Sequence, residues 1–158
     1  MVYEMPDGRL ETYALNKVGR VVCVLAFTLE KEVILARQFR PGPGKVLDEL
    51  PGGGVEEGED FAVAVRRELL EETGYAPGHL LPLGQFCEGA YSTIERHGFL
   101  ALDCKKVAEQ KLDQNEFIEV LLKPLPAFIA QLRAGEGTDS EVAWAGLFEA
   151  GLVGYRET

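Results

Sequence analysis

The sequence predicts one α/β domain over residues 1–158, in which a mixed sheet carries helices on its faces. Up to about residue 50, apolar residues run continuously or alternate, as they do in strands. From residue 60 they recur with a period near 3.6, as they do in helices. Strand-like and helix-like segments then follow one another without the regular rhythm of a parallel sheet. With 158 residues, 46% of them hydrophobic, the chain is long enough to enclose one core.

The N-terminal part of the chain is predicted to be β-structure. The turn residues Asp7-Gly8 separate two short alternating segments, which predicts a hairpin over residues 2–15. Residues 20–29 and 32–39 are rich in β-branched and apolar side chains and predict two buried central strands. The segments that follow are a loop at 41–44, a short extended piece at 46–50 and a second loop at 51–54, whose three glycines give it wide backbone freedom.

The first helix is predicted over residues 61–73. Ala62, Val65 and Leu69 fall on one stripe of this helix. Asp60 precedes it as a candidate N-cap, and Gly74 follows it where a left-handed glycine often ends a helix. The later elements are predicted as strands at 81–87, 97–102 and 117–123 and as helices at 126–133 and 139–149.

Composition argues against several classes of function. A formal net charge of −10 and a pI near 4.7 disfavour a nucleic-acid surface, which needs Lys and Arg to neutralise phosphates. No apolar run approaches the ~20 residues of a membrane span, and the N-terminus lacks the pattern of a signal peptide. The three cysteines are widely spaced, without His or Cys at metal-site intervals, and indicate reduced thiols. We expect a cytoplasmic protein without nucleic-acid or membrane partners.

Most of the negative charge lies in one segment. Residues 48–72 contain nine acidic and two basic residues. Glu68, Glu71 and Glu72 share an arc of about 100° on the predicted helix, where like charges repel and oppose the helix dipole. One interpretation is a solvated acidic face with an Arg67–Glu71 pair. The other is a site for Mg²⁺ or Mn²⁺, which carboxylates bind and which would cancel the repulsion.

The sequence around these glutamates favours the cation site. From Gly53 to Tyr75 the chain reads Gly-x5-Glu-x7-Arg-Glu-Leu-x-Glu-Glu-x-Gly-Tyr. This resembles the complete signature of the Nudix hydrolases, G-x5-E-x7-R-E-U-x-E-E-x-G-U with U a bulky apolar residue. So many fixed positions within 23 residues make chance agreement improbable. The resemblance implies the Nudix fold, an α/β/α sandwich with a mixed sheet and a loop-helix that carries the signature.

The resemblance also implies roles for the residues of the signature. The metal ligands would be Glu68 and Glu72, with Glu71 as a shared or second ligand that also takes part in catalysis, and the backbone carbonyl of Gly52. Glu59 and Arg67 would orient these carboxylates and so belong to the catalytic residues. The expected cofactor is Mg²⁺, with Mn²⁺ as the substitute, bound as two or three ions.

The segments before the signature resemble the branch of the family that hydrolyses ADP-ribose. Arg37-Gln38-Phe39-Arg40 is similar to that branch's R-Q-Y-R, and residues 49–53, Glu-Leu-Pro-Gly-Gly, to its E-L-P-A-G. Arg40 and Arg37 are therefore candidates to contact phosphate or ribose phosphate, because guanidinium binds phosphate in bidentate geometry. The alternative for both is a surface charge at the end of a strand.

The same branch implies a homodimer in which the N-terminal hairpin crosses to the partner subunit and helps to form its nucleotide pocket. Tyr3 or Tyr13 would then stack on the base. At Tyr91 the chain departs from the branch, which often has a proline near that place. A tyrosine there is similar to those of dinucleoside polyphosphate hydrolases, so Tyr91 is a further candidate for substrate binding.

The resemblance to the ADP-ribose branch weakens again in the acidic loop before the last predicted strand. That loop is thought to supply a general base, but Gln114 occupies one of its usual acidic positions. Glu116 is left as the candidate base. The alternative is that Glu116 is a surface acid before a strand.

We therefore expect metal-dependent hydrolysis of the diphosphate bond of a nucleoside diphosphate sugar to a nucleoside monophosphate and a sugar phosphate. ADP-ribose is the first candidate, followed by ADP-glucose and GDP-mannose. One alternative is a dinucleoside polyphosphate or nucleoside triphosphate pyrophosphohydrolase, which Tyr91 favours. The other is a Nudix module that binds a nucleotide sugar without cleaving it, which the intact signature disfavours.

Overall fold

The computed structural model describes residues 1–16 and 19–154, which form an α/β/α sandwich around a mixed sheet. The strands are β1 (Val2–Glu4), β2 (Leu10–Thr12), β3 (Arg20–Thr28), β4 (Glu32–Arg40), β5 (Lys45–Glu49), β6 (Gly52–Gly54), β7 (Tyr75–Ala76), β8 (His79–Phe86), β9 (Glu95–Lys106) and β10 (Glu119–Pro124). The helices are α1 (Phe61–Thr73), α2 (Leu125–Arg133) and α3 (Ser140–Glu149). None of these helices is long and apolar enough to cross a membrane.

The sheet is mixed, as the sequence predicts. In the described part of the chain, β1 and β2 form a separate hairpin, and the other eight strands form one sheet along the order β10-β4-β3-β9-β7. Off this path, β5 pairs with β4, β6 with β3 and β8 with β9. Strands β3 and β9 run parallel, whereas the pairs of β4 with β3, β5 and β10 are antiparallel.

Alternate side chains of β3 point to opposite faces of the sheet, which places the helices on both sides. One face packs against α1 through Val22, Val24, Ala26, Ala64, Val65 and Leu69. The other face packs against α2 and α3 through Cys23, Leu25, Phe27, Phe128, Val142 and Leu147. The sandwich predicted from the family resemblance is therefore confirmed.

The first helix has the predicted bounds and the predicted caps. The Asp60 carboxylate accepts a hydrogen bond from the backbone N–H of Ala62 at 2.8 Å, and Gly74 ends the helix in the left-handed region with φ of 77°. The later predicted strands and helices are also present. The structure adds the two-residue strand β7, and it lengthens β9 at both ends relative to the predicted 97–102.

The prediction of a loop at 51–54 is wrong. Residues 52–54 form strand β6, which pairs antiparallel with β3, with Gly52 opposite Cys23 and Gly53 opposite Val22. A β-carbon on Gly52 would lie 2.2 Å from the carbonyl oxygen of Val22. Glycine is therefore needed here because two backbones approach closely, and its conformational freedom is not the reason.

Candidate active site

The glycine strand β6 lies directly against the glutamates of α1. The backbone N–H of Gly52 donates to Oε2 of Glu72 at 2.9 Å, across 20 positions of sequence. At the next position, a β-carbon on Gly53 would lie 2.6 Å from the carboxyl carbon of Glu68. Two of the predicted metal ligands on the helix are thus held against the strand that carries the predicted carbonyl ligand.

The carboxylates of Glu68 and Glu72 are in an environment that disfavours negative charge. Glu72 is only 5% exposed. Burial, together with repulsion from Glu68 and Glu116, raises the pKa of Glu72 to about 8, against the opposing hydrogen bond from Gly52. Burial also raises the pKa of Glu68, and its ion pair with Arg67 offsets only part of the effect. A bound cation would stabilise the charged form of both groups.

Arg67 connects three of the four glutamates of the signature to one another. Its guanidinium binds Glu59 through two hydrogen bonds, 3.0 Å from Nε to Oε1 and 2.9 Å from Nη2 to Oε2. It also donates to Glu68 at 2.8 Å, to Glu71 at 3.2 Å and to the carbonyl oxygen of Gly54 at 2.9 Å. The hydrogen bonds from Arg67 lower the pKa of Glu59 to about 2, so Glu59 stays charged and keeps the guanidinium in place.

Arg67 and the three glutamates of α1 line a cleft of about 360 Å³, and the loop before β10 forms its other wall. Glu116 lies in this wall, where its Oε2 accepts a hydrogen bond from the backbone N–H of Asp113 at 2.9 Å. The backbone N–H of Lys111 donates to the carbonyl oxygen of Glu71 at 2.8 Å and joins the loop to the end of α1. The structure thus brings Glu116 to the glutamates from a position more than forty residues away. Lys111 and Asp113 also line the cleft, and nothing in the sequence pattern singled them out.

The donor atoms of the cleft fit a hard divalent cation. Carboxylate and backbone carbonyl oxygens are the ligands that Mg²⁺ prefers, and this ion is usually bound by one or two carboxylates together with substrate phosphates and water. Within residues 1–16 and 19–154, no three carboxylate, imidazole or thiol groups converge into a ready-made metal cage. Glu68 and Glu71 are instead bound to Arg67. The residues that could hold Mg²⁺ are Glu68, Glu71, Glu72 and the carbonyl group of Gly52.

The two arginines of the predicted substrate segment lie on opposite faces of the sheet. Arg40 is on the α1 side, where its Nε donates at 2.5 Å to the buried carboxylate of Glu49. It lines a second cleft, of about 410 Å³, which contains Gly52 and shares Gly53 with the first. Arg37 is on the α2 side, paired with Asp48 at 2.7 Å, and does not line the cleft of the glutamates.

The three candidate tyrosines lie together, away from the residues that line the cleft of the glutamates. The ring centroid of Tyr13 is 5.9 Å from that of Tyr3 and 6.1 Å from that of Tyr91. After the hairpin, Asn16 pairs with Ser92 and donates its backbone N–H to the carbonyl oxygen of Tyr91 at 2.8 Å. The hairpin therefore packs on the 87–94 segment of its own chain, whose Glu88 lines the second cleft.

Comparison with known proteins agrees with the signature. The NUDIX domain model matches residues 17–144. The chain is 32% identical over 144 residues to the ADP-ribose pyrophosphatase of Bacillus subtilis (strain 168), covering 90% of this chain and 78% of that protein. It is 52% identical over 84 residues to the ADP-sugar pyrophosphatase of Mus musculus, covering 46% of this chain and 38% of that protein.

A solved structure has the same fold. The crystal structure of an ADP compounds hydrolase matches with a TM-score of 0.76 and covers 96% of this chain and 86% of that chain, at 20% sequence identity. The intact signature, its geometry in the cleft and the matched domain together place the chain: it belongs to the Nudix family and is a pyrophosphohydrolase of that family.

Proposed function

We propose that the protein hydrolyses the diphosphate bond of ADP-ribose, with Mg²⁺ as cofactor, to AMP and ribose 5-phosphate. The observation that carries this proposal is the cleft in which the glycine strand, the glutamates of α1 and Glu116 face one another. The ADP-ribose and ADP-sugar pyrophosphatases among its relatives support the substrate class. ADP-glucose and GDP-mannose are the next candidates.

Three of the four proposed metal ligands, Glu68, Glu71 and Glu72, line the cleft, and Gly52 lines the adjoining one. Glu68, Glu72 and the Gly52 carbonyl would hold the two or three cations, with Glu71 as a shared or second ligand. Bound Mg²⁺ would supply positive charge that polarises phosphate oxygens and activates water. Arg67, held by Glu59, fixes the positions of Glu68 and Glu71. These contacts limit the movement that the two carboxylates have to make when cations bind.

Glu116 is the proposed general base. It lies across the cleft from α1 and can take a proton from the attacking water. The water oxygen then bonds to one phosphorus, the bond from that phosphorus to the bridging oxygen breaks, and the second phosphate leaves with the bridging oxygen. Arg40, which Glu49 holds at the adjoining cleft, is the proposed contact for substrate phosphate or ribose.

A substrate panel tests the proposal. Purified protein with Mg²⁺ or Mn²⁺ is given ADP-ribose, ADP-glucose, GDP-mannose, a diadenosine polyphosphate and a nucleoside triphosphate. Phosphate is measured after a coupled phosphatase for all but the triphosphate, whose products are separated by chromatography because the phosphatase would attack it directly. We expect ADP-ribose to have the highest kcat/KM. Preference for the polyphosphate or triphosphate would support the alternative that Tyr91 favours, and binding without turnover would show a non-catalytic module.

We also propose that the active protein is a homodimer in which the hairpin of residues 2–15 contributes to a nucleotide pocket. The exposed aromatic rings of Tyr3 and Tyr91 beside Tyr13 support a base-stacking surface. Light scattering on the purified wild type measures the oligomeric state directly.

A further inference from the structure

Arg20, the first residue of β3, binds both ends of the loop that precedes α1. Its carbonyl oxygen accepts a hydrogen bond from the backbone N–H of Val55 at 3.0 Å. Its guanidinium Nη1 donates to the carbonyl oxygen of Glu59 at 3.2 Å. One residue, which lies outside the signature, therefore fixes residues 55–59 at their start and at their end.

The same guanidinium also stacks on the first residue of α1. The guanidinium carbon of Arg20 is 4.1 Å from the ring centroid of Phe61. The ring of His97 stacks on Phe61 at 3.7 Å, with an angle of 20° between the planes. Two groups at these distances cannot share one face of a ring, so Phe61 lies between Arg20 and His97. A cation over the face of an aromatic ring is attracted by the ring's negative π-face, so this contact holds the guanidinium at the start of α1.

Glu95 completes this arrangement from the neighbouring strand. Its Oε2 is 3.5 Å from Nε of Arg20, and its Oε1 is 3.5 Å from Nε2 of His97. Arg20 and Glu95 are direct partners in the parallel pairing of β3 and β9. The group formed by Arg20, Phe61, Glu95 and His97, which we call the loop clamp, thus rests on two central strands.

The loop clamp is linked to the glutamates of the cleft through Glu59. The backbone of Glu59 is bound to Arg20, and its side chain is bound twice to Arg67. Arg67 in turn binds Glu68 and Glu71. A displacement of Glu59 would therefore move the guanidinium that sets both carboxylates.

We propose that Arg20 is a positioning residue of the active site. It holds residues 55–59 against the sheet, so that Glu59 keeps Arg67 and the glutamates in place before any cation binds. The proposal deepens the proposed function, because it rests on cation binding by Glu68, Glu71 and Glu72. It adds to that function a residue of β3, far from the signature in sequence.

The test compares Arg20→Met and Arg20→Lys with the matched control Arg66→Met. Arg66 is exposed on α1, next to Arg67, so Arg20→Met and Arg66→Met each remove one positive charge near the glutamates. Two readouts are used, and neither needs a substrate. The first is hydrogen exchange of the Glu56 amide in metal-free protein, because this N–H donates to Glu59 Oε2 at 2.9 Å. The second is the Kd for Mn²⁺, measured by electron paramagnetic resonance.

We expect Arg20→Met to speed exchange of the Glu56 amide and to weaken Mn²⁺ binding by about tenfold each, as loss of a partner behind metal ligands commonly does. The Val55 amide is the internal reference, since it bonds to the backbone of Arg20, which the substitution keeps. Arg20→Lys should restore part of both losses, because an ammonium group can still reach the Glu59 carbonyl. Arg66→Met should change each readout less than about twofold.

Unchanged exchange and unchanged Mn²⁺ affinity in Arg20→Met would overturn the proposal. Equal losses in Arg66→Met would also overturn it, by showing that charge alone is responsible. If Arg20→Met does not fold, the test rests on Arg20→Lys. The proposal expects this variant to show faster exchange of the Glu56 amide and weaker Mn²⁺ binding than wild type. Failure of the proposed function is distinguishable: wild type would then leave nucleotide sugars uncleaved, while exchange of the Glu56 amide would still report on the loop.

Discussion

The backbone of Gly53 lies against the side chain of Glu68, so closely that a β-carbon at residue 53 would be 2.6 Å from the Oε2 atom of that carboxylate. Real β-carbons do not make such contacts. A side chain at position 53 must therefore move either the carboxylate or strand β6. The position of a proposed metal ligand on the helix thus depends on the absence of a side chain on the strand.

Substitution of this glycine should disturb the cleft without unfolding the protein. We expect Gly53→Ala to lower kcat/KM on the best substrate by about 100-fold, because displacement of a ligand by about 1 Å has effects of this size. The matched control is Gly54→Ala, since a β-carbon at position 54 meets nothing within 4 Å. Equal activity of the two variants would contradict the role given to the Gly53–Glu68 contact.

Glu72→Gln should remove most turnover with Mg²⁺ and leave the fold intact. The amide can still accept the hydrogen bond from Gly52, but it lacks the charge that binds a cation. We expect a loss of about 100-fold in kcat and a comparable loss in Mg²⁺ affinity, with an unchanged circular dichroism spectrum. The control Glu57→Gln makes the same change at an exposed position of the same acidic segment. Near-normal activity of Glu72→Gln would refute the assignment of this ligand.

The raised pKa of Glu72 predicts a pH dependence of the metal-free protein. A carboxyl whose pKa is about 8 in the folded state and about 4.5 when unfolded stabilises the fold fully below pH 4.5. This stability is lost as the pH rises through 8. We therefore expect the free energy of unfolding without metal to fall by a few kcal/mol between pH 5 and pH 8.5. Added Mg²⁺ should restore the free energy of unfolding at pH 8.5. In the Glu72→Gln variant this free energy should change little between pH 5 and pH 8.5.

Calorimetry of Mg²⁺ binding provides an independent test of the protonation of Glu72. Below pH 8 the cation must displace a proton from Glu72. The heat of binding should therefore vary with the ionisation enthalpy of the buffer at pH 7, and this variation should vanish at pH 9. A binding heat that is independent of the buffer at pH 7 would show that Glu72 is already charged without metal.

The sequence predicted α1 well because its signals are local. The stripe of Ala62, Val65 and Leu69, the cap at Asp60 and the glycine at 74 all lie within one short segment, and each has one physical interpretation. The family signature then related Glu59 and Arg67 to the glutamates. The pair of hydrogen bonds between Glu59 and Arg67 agrees with that relation.

Contacts between distant segments were not predictable in the same way. The stack of Arg20, Phe61 and His97 joins two strands and a helix, and nothing in the local pattern of any of them indicates the others. At Gly52 the sequence was misleading. A glycine required by a close backbone approach cannot be distinguished, in the sequence alone, from one required by a flexible loop. The placement of Arg37 and Arg40 on opposite faces of the sheet could, however, have been predicted from the sequence. Residues three apart on a strand point to opposite faces.

Glu116→Gln tests the proposed general base. We expect kcat to fall by about 100-fold or more with little change in KM, because the amide cannot accept a proton. The acid limb of the profile of kcat against pH should disappear with it. Glu119→Gln is the control, since Glu119 is exposed and lies 3.8 Å from Arg37, outside the cleft. A Glu116→Gln variant that kept the acid limb would assign the base to another group.

Deletion of residues 1–15 should lower the dimer fraction and the nucleotide affinity together, since the proposed hairpin contributes to both. Tyr13→Leu separates the two effects: it removes the ring between Tyr3 and Tyr91 but keeps the backbone pairing of β1 and β2. We expect this variant to stay dimeric and to bind AMP several-fold more weakly, which corresponds to a loss of about 1 kcal/mol of stacking. Light scattering gives the mass and calorimetry the Kd. A monomeric wild type would refute the exchanged hairpin, and unchanged AMP binding by Tyr13→Leu would remove Tyr13 from the nucleotide pocket.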